Sequence, residues 1–226
     1  MLSFHEVPAN EPADGIVSPP STAAVIVIGS SNDSLAALAR DEESWCLQLL
    51  GLSGAAVKPF LLDAVARLSP SRDAHSSFEF LVPSTDRAAT QQQQQKLRRV
   101  VLAALPTYCS RNNTPAHPHS VSAIVTKHRG SGPLAIFLLS TPEHAFSQAL
   151  AVARAFPRYS ATQAARKTAA EVAQGKAEAD RVFVYMQKSA PVSTDINLIN
   201  HLADDIQLCQ KLVDMPPCTM HCRYVV

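Results

Sequence analysis

Long apolar runs are missing from this sequence, since none approaches the roughly 20 residues that a membrane-spanning helix needs. The N-terminus also lacks a basic segment followed by an apolar one, the pattern of a secretory signal. Net charge is only +1, from 20 Lys and Arg against 19 Asp and Glu. Broad attraction to nucleic acid or a membrane needs a basic surface. We therefore expect a cytoplasmic protein with neither partner, although a local basic patch stays open.

Cysteine is scarce and irregularly spaced. The five residues are Cys46, Cys109, Cys209, Cys218 and Cys222, of which only the last two lie close together. A disulfide framework usually shows an even number of cysteines in a short secreted chain. We therefore expect reduced thiols, in a chain whose 46% hydrophobic and 17% charged content is typical of a globular protein with one full core.

Sequence signatures of catalysis and of nucleotide binding are also absent. We find no nucleophile elbow, no His-Glu zinc helix and no phosphate-binding loop. The turn 29–33 follows a predicted strand at a place where α/β folds can bind phosphate. It holds one glycine, whereas a dinucleotide fingerprint needs three. A plain strand-to-helix turn is the simpler interpretation.

Two groups of residues have the side chains that zinc prefers. They are Cys109, His117, His119 and His128, and, near the end of the sequence, Cys218, His221 and Cys222. In the first group the proline between the histidines makes a turn, and four regularly spaced ligands are missing. In the second group a frayed tail cannot easily fix the ligand geometry. A polar loop and a tail without metal are therefore the expected alternatives, and we assign no catalytic, cofactor-binding or metal residue.

Residues 132–157 combine the signs of a buried strand that passes through a cap into a buried helix. Residues 134–139 form a continuous apolar run with turn residues on both sides, as expected for a strand covered on both faces. Thr141 is a suitable N-cap, Pro142 suits the first helical position, and Glu143 places a negative charge in the first turn. The pattern predicts a central strand followed by a helix.

The rest of the sequence alternates between the two types of segment. Strands are predicted at residues 23–28, 78–82, 97–105 and 182–186, and helices at 35–50, 60–68, 120–128 and 196–213. Ser193 or Thr194 is the expected N-cap of the last helix, and Asp204 and Asp205 are interpreted as its solvated face. The alternation predicts an α/β fold with a mixed, largely parallel sheet flanked by helices.

Three segments lack a clear pattern. Residues 1–20 are interpreted as an extended or disordered lead-in. Residues 84–95, which include five consecutive glutamines, are interpreted as a solvated loop. Residues 159–180 are predicted to be either a surface helix or a mobile crossover.

Three short motifs resemble one known family. They are Ala104-Leu105-Pro106 with residues 110–115, then the segment 151–157 that ends Ala-Arg-Ala-Phe-Pro, and then residues 212–220, which begin Leu-Val-Asp-Met-Pro-Pro. Together they resemble the leucyl aminopeptidase (cytosol aminopeptidase) family of metallopeptidases, most closely its probable-aminopeptidase-like branch. The resemblance covers roughly residues 97–220.

The resemblance implies a macro-like N-terminal α/β domain, joined by a long connector helix to a catalytic domain. It implies residues 1–20 as lead-in, 21–190 as the macro-like domain, and 191–226 as connector helix and truncated tail. The family removes N-terminal amino acids from peptides with two divalent metals, zinc or manganese, held by a lysine, several aspartates and a glutamate of the catalytic domain. Its Asn-Thr-Asp-Ala-Glu-Gly-Arg motif does not occur here, and residues 221–226 depart from the family's continuation.

We therefore expect a non-catalytic, truncated N-terminal domain that holds no cofactor itself. It is expected to form a homo-oligomer or to associate with full-length homologues. Two alternatives stay open. One is a structural subunit that joins full-length homologues, and the other is a stand-alone macro-like module for a nucleotide-type ligand, against which stands the lack of a glycine-rich loop.

Overall fold

A six-stranded sheet forms the centre of the computed structural model, within the residues that the structure describes. These are residues 2–8, 24–40, 47, 58–83, 97–130, 132–157, 181–188 and 195–214. The strands are β1 (Leu2–Pro8), β2 (Ala24–Gly29), β3 (Ser76–Pro83), β4 (Leu97–Ala104), β5 (Leu134–Leu139) and β6 (Val182–Lys188). The helices in the same residues are α1 (Asn32–Arg40), α2 (Lys58–Ala66), α3 (Pro118–His128), α4 (Pro142–Arg154) and α5 (Ile196–Asp214).

The strands lie in the order β1-β6-β5-β2-β4-β3. Every neighbouring pair is parallel except β3 and β4, which run antiparallel at one edge of the sheet. Parallel neighbours need a crossover, and helices supply it on both faces. The predicted α/β fold with a mixed, largely parallel sheet is therefore confirmed.

Strand β5 is buried on both faces, as the sequence predicts. Leu134, Ile136 and Leu138 belong to the apolar layer under α3, α4 and α5. The alternate residues Ala135 and Phe137 belong to the layer under α1 and α2. Because side chains alternate across a strand, only a continuous apolar run can fill two such layers.

The first residues of the chain correct the sequence prediction. Leu2–Pro8 do not form a disordered lead-in, because they form strand β1, which lies parallel to β6 at the edge of the sheet. Phe4 is 5% exposed and Val7 is fully buried, each in a different apolar layer. A strand of this kind gains its stability from the neighbouring strand and from both layers, which a local pattern does not reveal. The rest of the predicted lead-in lies outside the described residues.

The helix boundaries agree with the predicted caps in one case and differ in the other. Helix α4 starts with Thr141 at the N-cap position, Pro142 in its first turn and Glu143 beside it, as predicted, although the Thr141 side chain makes no capping hydrogen bond. In α5, however, Asp195 Oδ1 accepts hydrogen bonds from the backbone N–H groups of Asn197 (2.9 Å) and Leu198 (3.1 Å). Asp195 is therefore the cap, because its carboxylate satisfies two free donors and its charge suits the helix N-terminus.

Several sequence predictions concern parts of the chain that the structure does not describe. These are the glutamine-rich loop 84–95, the segment 159–180, the end of the helix predicted to Leu50, and the group of Cys218, His221 and Cys222. Ser193 and Thr194 also lie outside the described residues, but the cap prediction is decided by Asp195, which takes that role. Among the described helices, none is both long enough and apolar enough to cross a membrane.

Candidate functional site

Helix α5 is attached to the sheet domain along one face. Ile199 is fully buried, Ala203 is 4% exposed, and both join the apolar layer that contains α4 and Phe4 of β1. Gln207, one further turn along the same face, is also buried. The spacing of three to four residues is that of a helix with one covered stripe. The contact therefore extends over the first three turns of α5.

Polar contacts hold the same face of α5 against the end of α4. The side-chain amide of Gln207 donates to the carbonyl of Phe156 (3.0 Å), and that of Gln210 donates to the carbonyl of Arg154 (2.9 Å). Arg129 donates to the carbonyl of Ala155 between them. The last carbonyls of a helix have no partner within the helix, so these side chains supply it. Helix α5 is thereby fixed in position and in rotation relative to α4.

The other face of α5 carries exposed apolar side chains. Leu198 is 46% exposed, Leu208 is 50% exposed and Val213 is 83% exposed. We call Leu208, Cys209 and Val213 the outer stripe, since all three are exposed near the end of the helix. Asp204 and Asp205 are exposed as predicted. Covering these side chains with another element would remove apolar surface from water and would therefore be favourable.

A second group of polar residues lies where β3, β4 and the end of α3 meet. The Ser77 hydroxyl lies 3.0 Å from Nε2 of His128, and Oε2 of Glu79 lies 3.3 Å from Nδ1 of the same ring. Lys127 Nζ lies 3.4 Å from the Ser77 hydroxyl, and Arg99 Nη1 lies 3.6 Å from Oε2 of Glu79. We call these five residues the His128 cluster.

Sheet register explains how the cluster assembles. Ser77 and Glu79 are two residues apart on β3, so their side chains share one face, and the same face carries Arg99 on β4. Helix α3 covers this face and ends at His128, which is 8% exposed. Arg99 also donates to the backbone carbonyl of His128. Strand and helix are thus joined at the edge of the sheet.

Burial lowers the pKa of His128 below its usual value. A hydrogen bond to Glu79 opposes this effect, while the positive charges of Lys127 and Arg99 add to it. The ring is therefore neutral at neutral pH. Since the Glu79 carboxylate accepts only, Nδ1 carries the ring proton and Nε2 is left as an acceptor for the Ser77 hydroxyl.

His128 lies far from His117, which belongs to the same candidate zinc group. His117 and His128 lie at opposite ends of α3, about 16 Å apart at 1.5 Å per residue. Cys109 donates to the carbonyl of Asn113 (3.0 Å), and His117 adopts a left-handed backbone with φ of 46°. Within the described residues, no three His, Cys, Asp or Glu side chains are placed to hold one metal ion.

The spacing Ser77-x-Glu79, at the start of the strand predicted from residue 78, was the one available signal for the His128 cluster. This spacing indicates that the two side chains lie on one face of the strand. It does not indicate that they contact His128, the last residue of α3, about fifty residues later in the chain. The strand pairing and the helix position decide that contact, and both are tertiary.

In the turn after β2, serine side chains bind the backbone N–H groups of the turn itself. The backbone N–H of Ser34 donates to the Ser31 hydroxyl, and the backbone N–H of Ser31 donates to the Ser34 hydroxyl, each at 3.2 Å. A Cβ at Gly29 would lie 2.6 Å from Leu35 Cγ, so glycine lets α1 pack closely on β2. These features favour the plain strand-to-helix turn over a phosphate loop.

Comparisons with known proteins agree on one family. A family model described as M17 aminopeptidase N-terminal domain 2 matches residues 23–165. An M17 aminopeptidase from Trypanosoma brucei is 26% identical with a TM-score of 0.66, covering 96% of this chain and 37% of its own. Leucyl aminopeptidase from the same organism, in complex with bestatin, is 25% identical with a TM-score of 0.65 and the same coverage.

A more distant aminopeptidase shares the fold. Leucine aminopeptidase from Caenorhabditis elegans is 13% identical with a TM-score of 0.61, covering 95% of this chain and 36% of its own, and supports the fold alone. A comparison with curated proteins found no match. The chain spans little more than a third of the length of these solved structures.

Proposed function

The chain belongs to the M17 aminopeptidase family, as an N-terminal domain of that family, and on this premise we propose that it is non-catalytic in the family reaction and that it carries and orients the connector helix α5. The family reaction removes N-terminal amino acids from peptides with a metal-activated water. The residues described here do not fit such a metal site, and the sequence lacks the family's ligand motif. No step of this metal-dependent family reaction is therefore assigned to this chain.

The attachment of α5 is the observation that carries the proposal. Ile199 and Ala203 bury apolar surface in the core, while Gln207 and Gln210 bind the end of α4 through hydrogen bonds. Because the buried side chains and the hydrogen bonds lie on the same face of α5, they fix one orientation of the helix relative to the sheet. A segment that follows Asp214 would therefore leave the domain in a defined direction, as a domain that orients its partner requires.

The outer stripe is the proposed contact for that partner. Its residues Leu208, Cys209 and Val213 are exposed although they are apolar, and their burial would be favourable. We propose that a catalytic domain of the family covers the stripe, either within a longer protein or in a full-length homologue. Zinc or manganese and the peptide substrate would then bind to that catalytic domain, in the cytoplasm.

We also propose domain boundaries and a mode of self-association. Residues 21–190 are proposed as the macro-like domain, now with β1 added to its sheet, and residues 191–226 as the connector helix with the segment that follows it. Self-association through the outer stripe is the proposed alternative when no catalytic domain is present.

An activity assay tests the proposal directly. The purified 226-residue chain is incubated with leucyl-p-nitroanilide and either manganese or zinc, with a full-length M17 aminopeptidase as positive control. We expect no release of p-nitroaniline above the metal-only blank, because two-metal hydrolysis needs carboxylate ligands that hold the ions about 3.5–4 Å apart. Release that a chelator abolishes would contradict the non-catalytic assignment.

A further inference from the structure

In the His128 cluster a serine hydroxyl, a histidine ring and a carboxylate contact one another in the same order as around an activated serine. The Ser77 hydroxyl faces Nε2 of His128 at 3.0 Å, and Nδ1 of the ring faces the Glu79 carboxylate at 3.3 Å. A nucleophile within hydrogen-bond reach of a base, with the base oriented by a third group, is the arrangement used for nucleophilic catalysis on unrelated folds. Nothing in the proposed function uses these residues.

The surroundings support each role. Arg99 contacts both Glu79 and the backbone carbonyl of His128, so the carboxylate and the ring are held relative to each other. Lys127 Nζ lies 3.4 Å from the Ser77 hydroxyl. Its positive charge is therefore next to the nucleophile and close to the place where the carbonyl oxygen of an attacked ester would become negative. Because His128 is neutral at neutral pH, its Nε2 is free to accept a proton.

We propose that Ser77 is an activated nucleophile, with His128 as its general base and Glu79 as a positioning residue, and that it reacts with activated acyl esters. In the first step Ser77 Oγ bonds to the ester carbonyl carbon and its proton passes to Nε2 of His128. The tetrahedral intermediate then breaks the bond to the leaving alcohol, which takes the proton from His128. Water, deprotonated by the same nitrogen, releases the acid and restores Ser77.

The position of the cluster indicates the class of ester. Ser77 is partly buried and Glu79 is exposed, on an edge strand whose outer side faces away from the sheet. Within the described residues no further strand pairs with the outer side of β3, so we expect a ligand to approach from this edge, beside the exposed Lys127. Esters with a short acyl group and a good leaving group, such as aryl acetates, fit this approach, because they need little binding surface to react.

A fluorophosphonate probe tests the nucleophile on the whole chain. Attack forms a bond between Ser77 Oγ and phosphorus and releases fluoride, while the serine proton passes to His128. We expect one adduct, which peptide mass spectrometry locates at Ser77 in the wild-type protein, and hydrolysis of p-nitrophenyl acetate that the probe blocks. A folded wild-type chain without an adduct at Ser77 would overturn the proposal, and this result needs no variant.

Variants separate an activated serine from an ordinary one. Ser77→Ala should abolish labelling, while Ser76→Ala, on the opposite face of β3, should label as the wild type does. His128→Gln should slow labelling by about 100-fold or more, the usual contribution of a general base. Labelling that survives Ser77→Ala, or that is unchanged in folded His128→Gln, would show that the cluster is only structural.

The pH profile tests the role of Glu79, which a merely structural residue would not affect. The labelling rate of the wild type should rise with pH as His128 loses its proton. Glu79→Gln removes the group that favours protonated His128, so the profile should move to lower pH and its plateau should fall. A profile and a plateau identical to the wild type in folded Glu79→Gln would contradict the positioning role.

Discussion

At the scale of single residues, Phe137 shows most directly how the core depends on one side chain. It has no exposed surface, lies in the middle of β5, and stacks on Tyr185 with 4.8 Å between ring centroids. We expect Phe137→Asp to abolish soluble folding, because an unpaired carboxylate in an apolar layer is costly relative to the ~5–15 kcal/mol that stabilise a domain. Thermal unfolding followed by circular dichroism checks this.

The control for this change is Phe60→Asp in α2, where the ring is 67% exposed. Surface replacements of this kind usually change stability by about 0.5 kcal/mol or less. A cooperative thermal unfolding of Phe137→Asp close to that of the wild type would show that Phe137 does not lie in the core.

His128 also gives the protein a pH-dependent contribution to stability. Its pKa is lowered in the folded state, so the unfolded chain binds a proton first as the pH falls below about 6.5. The folded state is therefore destabilised on acidification, and no such penalty exists at higher pH, where both states are neutral. His128→Gln removes this titration while keeping an amide that can bind Ser77.

We expect the wild-type melting temperature to fall further than that of His128→Gln between about pH 7.5 and pH 5.5. The comparison isolates His128, since His5, His75 and His117, whose pKa values burial also lowers, are present in both proteins. Equal decreases in the two proteins would mean that His128 does not titrate differently on folding.

At the scale of elements, the start of α5 depends on one carboxylate. Asp195→Ala should destabilise the protein by about 0.5–2 kcal/mol, because two backbone N–H groups lose their acceptor and the helix N-terminus loses a favourable charge. Urea unfolding measures the change. Thr194→Ala is the matched control, and we expect an effect below about 0.5 kcal/mol. A larger loss of stability for Thr194→Ala than for Asp195→Ala would mean that Thr194 is the N-cap, as the sequence pattern predicts.

At the scale of the whole molecule, the outer stripe should determine both mobility and association. A helix of this type gains most of its stability from tertiary burial, and Leu208 and Val213 have little. We expect the amides of residues 208–214 to exchange hydrogen faster than those of residues 199–207 at low protein concentration. Exchange there should slow as concentration rises, because self-association covers the stripe.

A double variant, Leu208→Ser with Val213→Ser, should lose this concentration dependence, while Leu198→Ser, on an earlier turn, should keep it. Slow exchange that does not depend on concentration in the wild type would mean that the stripe already packs against its own domain. The connector role proposed for α5 would then be wrong.

The sequence by itself determined the layered architecture. The apolar run of β5 fills two layers at once, as a central strand must, and its six residues between turn residues are too few for a typical helix. The start of α4 was predictable for a similar reason, since Pro142 and Glu143 favour the first helical turn in which they stand. These interactions are local, so a local pattern reveals them. The three short motifs identified the family independently of the fold, and the family model confirms it.

Tertiary structure alone decided three other features. Strand β1 exists because β6 and two apolar layers accept Phe4 and Val7, although seven residues near the N-terminus show no convincing pattern. The rotation of α5 depends on carbonyls at the end of α4, which are invisible in the sequence of either helix. The His128 cluster joins β3 and α3 across about fifty residues of chain, because strand register fixes the face and helix length fixes the end. Contacts between distant segments arise only when the chain folds, and the proposed activity of Ser77 depends on one of them.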